Sequence, residues 1–174
     1  MAPKPLSLDE AIDTALEYEN NVRDMYREAA KLASEDGGRK FFERMAKEEQ
    51  IHVTYLNVRK REWVEKGKLN VQPVETSTPT RDRIDEGLAQ LQHKLHDYDW
   101  ELELDLLRKA RQMESETGAF YKRMVREMSE DGAALFSGFL AIEDAHYDLV
   151  QSQIEALEGG GFWYDTQEFS LEGG

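Results

Sequence analysis

The chain has 174 residues, 33% of them charged, a formal net charge of −14 and no cysteine. A chain of roughly 100–200 residues can be one domain with a self-supporting core, and the missing thiols exclude a disulfide framework, a thiolate zinc site, a four-cysteine iron site and a cysteine nucleophile. The acidic balance excludes electrostatic binding to phosphate backbones or anionic lipid, so neither nucleic acid nor membrane is an expected partner.

MAPKPLSLDE has no apolar signal core, and no later stretch approaches the roughly 20 apolar residues of a membrane span, so a cytoplasmic protein is expected. Ser7 and Glu10 form an S-x-x-E capping box that opens a first helix, about 8 to 35. Its seam is Leu8, Ile12, Ala15, Glu19, Val22, Tyr26, Ala29 and Ala33, at alternating steps of four and three. Gly37-Gly38 is expected to end that helix, and Phe42, Met45, Glu49, His52, Leu56 and Trp63 trace the seam of a second one to about Lys66. The segment GKLNVQPVETSTPT, with its prolines, glycine and hydroxyl residues, starts a long connection, and a short helix is expected from Thr80 to about His96. Asp99 is the expected N-cap of a third long helix, about 100 to 130. Asp131-Gly132 separates it from a fourth, about 133 to 158, which Gly159-Gly160-Gly161 stops. Two short turns and one long crossover describe an all-α four-helix bundle made of two antiparallel hairpins.

The two hairpins repeat one another. A shift of 95 places Ala15 on Ala110, Glu19 on Glu114, Tyr26 on Tyr121 and SEDG at Ser34 on SEDG at Ser129. A shift of 94 then places Phe42 on Phe136, Glu49 on Glu143, His52 on His146 and Leu56 on Val150. Each half therefore carries a seam glutamate, a tyrosine two turns later, a turn, and E-x-x-H.

Seam positions face the core, and an ionised carboxylate left there unpaired costs several kcal/mol. Four such residues exceed what a marginally stable domain can absorb, and no lysine or arginine occupies the matching seam positions. A single E-x-x-H is usually a solvated face. Two copies, each matched with a glutamate on the preceding helix, are metal-binding architecture, because two divalent cations neutralise four carboxylates. One glutamate from each of two helices with E-x-x-H from each of the other two is the ligand pattern of dinuclear carboxylate bundles.

The segments ALEYENNVRDMY with AKEEQIH, and ARQMESETGAFY with AIEDAH, resemble the rubrerythrin branch of the ferritin-like superfamily, and the ligand set also resembles the ferroxidase centre of bacterioferritin. The resemblance covers about residues 8 to 158. It implies a ferritin-like bundle over 1–158 followed by a C-terminal aromatic tail, 159–174. Carried over position by position, Glu19 and Glu114 correspond to terminal carboxylates, Glu49 and Glu143 to bridging ones, and His52 and His146 to one terminal nitrogen per metal. Tyr26 and Tyr121 correspond to core tyrosines that hydrogen-bond ligand carboxylates.

The implied activity is that of a di-iron oxidoreductase reducing hydrogen peroxide or O2, in oxidative-stress defence, as a homodimer. Ferroxidase with iron storage is an alternative, as is a di-manganese, catalase-like centre. The 174 residues hold no cysteines for a rubredoxin-type iron, so electrons are expected from a separate rubredoxin- or reductase-type donor. Gln50 stands where bacterioferritin has its haem-ligand methionine, so no haem is expected, and Thr117 stands where classical rubrerythrins carry an extra glutamate. His93, His96 and Asp97 are read as a solvated face rather than a second metal site. Phe162, Trp163 and Phe169 are read as covering a bundle end or a subunit interface rather than docking a redox partner.

Overall fold

The computed structural model describes residues 5–90 and 99–164. Among them lie α1 (Leu8–Leu32), α2 (Asp36–Lys66), α3 (Arg81–Gln90), α4 (Glu101–Glu127) and α5 (Glu130–Gly160), and no strand. α1 pairs with α2 and α4 with α5, the hairpins meet along α1 and α4, and α3 lies on α5. This is the all-helical, ferritin-like bundle that the two hairpin repeats imply. Among the described residues, no helix is long and apolar enough to cross a membrane.

The capping box forms as read: Ser7 Oγ accepts from the Glu10 N–H at 3.2 Å, and Glu10 Oε2 accepts from the Ser7 N–H at 2.8 Å. The hairpin turns differ from expectation. α1 stops at Leu32, and Gly37-Gly38 lies inside the first turn of α2 rather than between the helices. The pair answers a packing need. A Cβ on Gly37 would stand 2.6 Å from Trp163 Cβ, and one on Gly38 2.8 Å from the Trp163 ring. The turn itself is fixed from outside, because the Ser34 N–H donates to Glu103 Oε1 of α4 at 3.1 Å and the Ser34 hydroxyl donates to the same oxygen. In the second hairpin, likewise, Asp131-Gly132 falls within α5, and a Cβ on Gly132 would meet Met128 Cβ at 2.9 Å.

α2 ends at Gly67, whose φ of 60° is the left-handed conformation that glycine adopts without strain. The connection then runs back along α2. Tyr55 Oη donates to the Gln72 carbonyl at 2.6 Å, and buried Glu48 accepts from Thr76 Oγ1 at 3.0 Å and from the Ser77 N–H at 3.1 Å. α3 covers α5 through fully buried Ile84 and an Arg81–Glu155 ion pair of 2.8 Å. The remainder of the expected crossover helix, with His93, His96 and Asp97, lies outside the described residues, as does Phe169. Asp99 does cap α4, but from one position further out than expected: its side chain accepts from the Glu101 N–H at 3.1 Å, and Trp100 is the N-cap residue.

α5 runs to Gly160 and closes on Gly161 at φ 64°, slightly beyond the expected end. The tail then folds onto the bundle: the Phe162 carbonyl accepts from Gln153 Nε2 at 3.2 Å, and Trp163 packs on Phe41 and Phe42. Along every long helix an apolar stretch precedes and follows the midpoint. One cluster gathers Val22, Tyr26, Phe42, Leu107, Leu149 and Leu157; the other gathers Ile12, Leu56, Phe120, Tyr121, Phe136 and Phe139. The polar residues of the seam lie between these two cores.

Candidate metal centre

The seam period brings Glu19 of α1, Glu49 and His52 of α2, Glu114 of α4, and Glu143 and His146 of α5 into the gap between the two cores, each at most 1% exposed. E-x-x-H works here because residues three apart share one helix face. His52 Nδ1 lies 3.0 Å from Glu19 Oε2, 3.3 Å from Glu49 Oε2 and 3.8 Å from Glu143 Oε1. His146 Nδ1 lies 2.9 Å from Glu49 Oε1 and 3.8 Å from Glu114 Oε2. The two imidazoles stack at 5.3 Å with only 14° between their planes, and Glu49 reaches the Nδ1 atom of each. One ligand atom each from Glu49, His52, Glu143 and His146 falls within a single 4.8 Å group that could hold a metal ion. All six sequence-derived ligand candidates thus converge.

The tyrosines cross between hairpins. Tyr26 of α1 donates to Glu114 Oε1 of α4, and Tyr121 of α4 donates to Glu19 Oε1 of α1; all four groups are buried. Each bond fixes one oxygen of its carboxylate and leaves the other turned to the histidines. Nothing in the linear pattern indicates this exchange, because the repeat only places each tyrosine two turns past a glutamate of its own helix. The sequence reading also passes over two further buried carboxylates, Glu48 and Glu103. These are held by the crossover and by the α1–α2 turn rather than by the cluster. Gln50, beside Glu49, accepts from Arg23 Nη1 at 3.2 Å and Arg27 Nη2 at 3.1 Å, a clasp across the α1–α2 seam.

Without a cation the cluster manages its charge with protons. Burial pushes Glu19 up to about 8, with Glu49 adding to the rise and His52 opposing it. Burial, and then the charges of Glu19, Glu114 and Glu49, push Glu143 well above the carboxylate range. Glu49 moves the other way: burial opposes its charge, but His52 and His146 outweigh burial and lower it. Burial also opposes charge on the imidazoles, yet Glu19 and Glu49 raise His52 to about 10, and Glu49 and Glu114 raise His146 well above its ordinary value.

Protons do not complete the hydrogen bonding. Among the described residues, both oxygens of Glu143, Glu114 Oε2 and the Nε2 atoms of His52 and His146 are buried with no hydrogen-bond partner. Buried polar atoms are nearly always satisfied, so so dense a group of orphaned acceptors in one spot is the chemistry of a ligand set. Hard carboxylate oxygens with two imidazoles fit iron or manganese, and the residues present therefore fit the implied metal.

A model of the rubrerythrin family matches residues 10–154, which spans both hairpins and all six residues. The chain belongs to the rubrerythrin family. Searches of curated proteins and of solved structures gave no match. Membership gives the rubrerythrin cluster a general oxidoreductase setting, and the buried Glu/His group is its metal-binding feature. In this rubrerythrin, Thr117 is fully buried and its hydroxyl donates to the Met113 carbonyl at 3.0 Å, while the matching position of the first half is buried Val22. Neither side chain adds a carboxylate to the cluster.

Proposed function

We propose that the cluster holds two iron ions and that the protein reduces hydrogen peroxide, drawing electrons from a separate donor protein of rubredoxin or reductase type. The observation that carries this reading is the buried group of Glu49, His52, Glu143 and His146, in which one ligand atom from each lies within 4.8 Å of the others. Glu49 and Glu143 would be shared by both ions, with Glu19 and His52 holding one and Glu114 and His146 the other. Bound ferrous ions supply the two electrons that peroxide reduction takes.

The chain's own residues do the rest. Tyr26 and Tyr121 fix the outer carboxylates by charge-assisted hydrogen bonds, which hold each ligand in one orientation. The flanking aromatic cores exclude bulk water, and with Val22 and Thr117 at matched positions the two halves offer equal ligand sets. Manganese in the same residues would support peroxide disproportionation without a donor. Release of oxidised iron into a shell would make the protein a ferroxidase.

The test is to load the protein anaerobically with ferrous iron and mix it with peroxide or O2 in a stopped-flow instrument, with particle size measured in parallel. Faster oxidation by peroxide in a homodimer supports the reading. Oxidation by O2 at least as fast, in cage-sized particles, moves the assignment to ferroxidase storage.

A further inference from the structure

The hairpins meet differently on the two sides of the bundle. α1 packs directly on α4, whereas α2 and α5 meet through ring contacts: His52 on His146 at 5.3 Å, His52 on Phe139 at 5.5 Å and Tyr55 on Phe139 at 5.7 Å. Both imidazoles therefore lie on the side where side chains rather than helix backbones close the bundle. The connection between α2 and α3 runs over that side, and residues of one α2 face decide where.

Glu48, His52 and Tyr55 follow one another at steps of four and three and so share that face. Glu48, 5% exposed, accepts from Thr76 Oγ1 at 3.0 Å, from the Ser77 N–H at 3.1 Å and from the Ser77 hydroxyl. The Tyr55 hydroxyl donates to the Gln72 carbonyl at 2.6 Å and accepts from the Gln72 N–H at 3.1 Å. One anchor lies a turn before His52 and the other a turn after it, so the stretch from Gln72 to Ser77 crosses the flank of the cluster at the level of His52. Between these anchored residues only Val74 is partly buried, packed on the core of Leu56 and Phe139. A segment outside regular structure, fixed by hydrogen bonds at its two ends with little apolar burial between them, opens locally while the helices beneath it stay folded.

We propose that residues 72–77 are a gate on the α2–α5 side, latched by Glu48 and Tyr55, through which divalent cations enter and leave the carboxylate cluster; the inference rests on the metal-binding reading of that cluster. The other sides are closed by helix packed on helix, α1 on α2, α4 on α5 and α1 on α4. Releasing the latches uncovers the α2–α5 side beside His52 and leaves the ligand residues on their helices. The latch hydrogen bonds go to the strap and not to the cluster, so they are the same with and without an ion. Weakening them raises the open population equally in both states. Entry and exit then accelerate by one factor, and Kd does not change.

The experiment uses the full-length chain and its variants Glu48→Ala and Tyr55→Phe, the second of which keeps the ring on Phe139 and loses only the clamp on Gln72. Cobalt(II) uptake by metal-free protein is followed by stopped-flow absorbance, and its release by mixing loaded protein with excess chelator. The expected result is that each variant, with its helical circular dichroism intact, speeds uptake and release alike by about fivefold or more. Gln50→Ala, which loosens the Arg23 and Arg27 clasp on the α1–α2 seam, should leave both rates as they are. Unchanged rates in Glu48→Ala and Tyr55→Phe, a change in only one of the two rates, or an equal acceleration in Gln50→Ala overturns the gate. A metal-free measurement stands beside these: the Gln72 and Ser77 amide protons should exchange at a common rate, faster than the backbone of α2 around His52 and faster again in both variants. Exchange of those two amides only together with α2 overturns the gate as well. Cobalt that does not bind at all counts against the metal reading, and amide exchange then decides the strap by itself.

Discussion

The α1–α2 and α4–α5 hairpins are copies of one unit that agree at the centre and diverge at the edges. At the centre, Glu19 and Glu114, Glu49 and Glu143, His52 and His146, and Tyr26 and Tyr121 correspond residue for residue, and the tyrosine bonds to Glu114 and Glu19 are reciprocal. At the edges, Arg23 and Arg27 clasp Gln50 in the first half, where the second has Gly118, Lys122 and Asp144. Phe42 meets Trp163, whereas near Gly132 the packing neighbours are Met128 and Leu8. The difference separates two kinds of constraint. Six buried ionisable groups must satisfy one another, so no one of them can change alone; the periphery answers only to local packing and is free to take on different tasks.

The largest expected effect breaks the centre. Glu49→Ala and Glu143→Ala should each remove metal from both positions, because each bridging carboxylate would serve both ions. Elemental analysis checks this, and a variant that still carries two ions per chain would show that its glutamate is no bridge.

A second comparison sets metal-free against metal-loaded protein. One site at a hundredfold excess over Kd adds about 2.7 kcal/mol. The gap should widen with pH, for the following reason of sign. Glu19 and His52 are both raised, so each binds more proton folded than unfolded. Its contribution to metal-free stability is whole below the unfolded value and is lost as pH climbs to the folded one, from 4.5 to about 8 for Glu19 and from 6.5 to about 10 for His52. Metal binding competes with those protons and strengthens over the same range. Calorimetry should therefore show the metal-free Tm falling from about pH 5 to about pH 8 while the loaded Tm holds; parallel curves would contradict it.

Tyr26→Phe and Tyr121→Phe each remove a donor from a buried carboxylate and should cost about 1.5–3 kcal/mol in metal-free protein. The matched geometry requires the two costs to be similar in urea melts. A marked inequality would mean that the two reciprocal tyrosine bonds are not equivalent.

The smallest effect probes the edge, where SEDG occurs in both turns. Ser34→Ala loses a hydroxyl donor to buried Glu103 and should cost about 1 kcal/mol, whereas Ser129 caps α5 without a side-chain hydrogen bond and its replacement should fall within about 0.5 kcal/mol. Equal costs would place the two turns in the same class after all.

The bundle and the central residues were legible because period and chemistry spoke together: carboxylates and imidazoles on an apolar seam have few physical explanations. The turns were misplaced for a reason of the opposite kind. Glycine signals either a break or a close approach, and only the position of Trp163 tells which applies at Gly37-Gly38. The roles of Glu48 and Glu103 were hidden because their partners, Thr76 with Ser77 and Ser34, lie in turns and crossover that carry no periodic signal.

The crossed tyrosine bonds have a meaning for ancestry and assembly. In a two-fold dimer of identical hairpins, residue i of one subunit touches j of the other and j touches i. Tyr26 to Glu114 and Tyr121 to Glu19 are that reciprocity written into one chain. Each half's outer glutamate is oriented by a phenol from the other, so a hairpin produced alone would carry its glutamate unaligned, and the natural partner to complete it is its own duplicate.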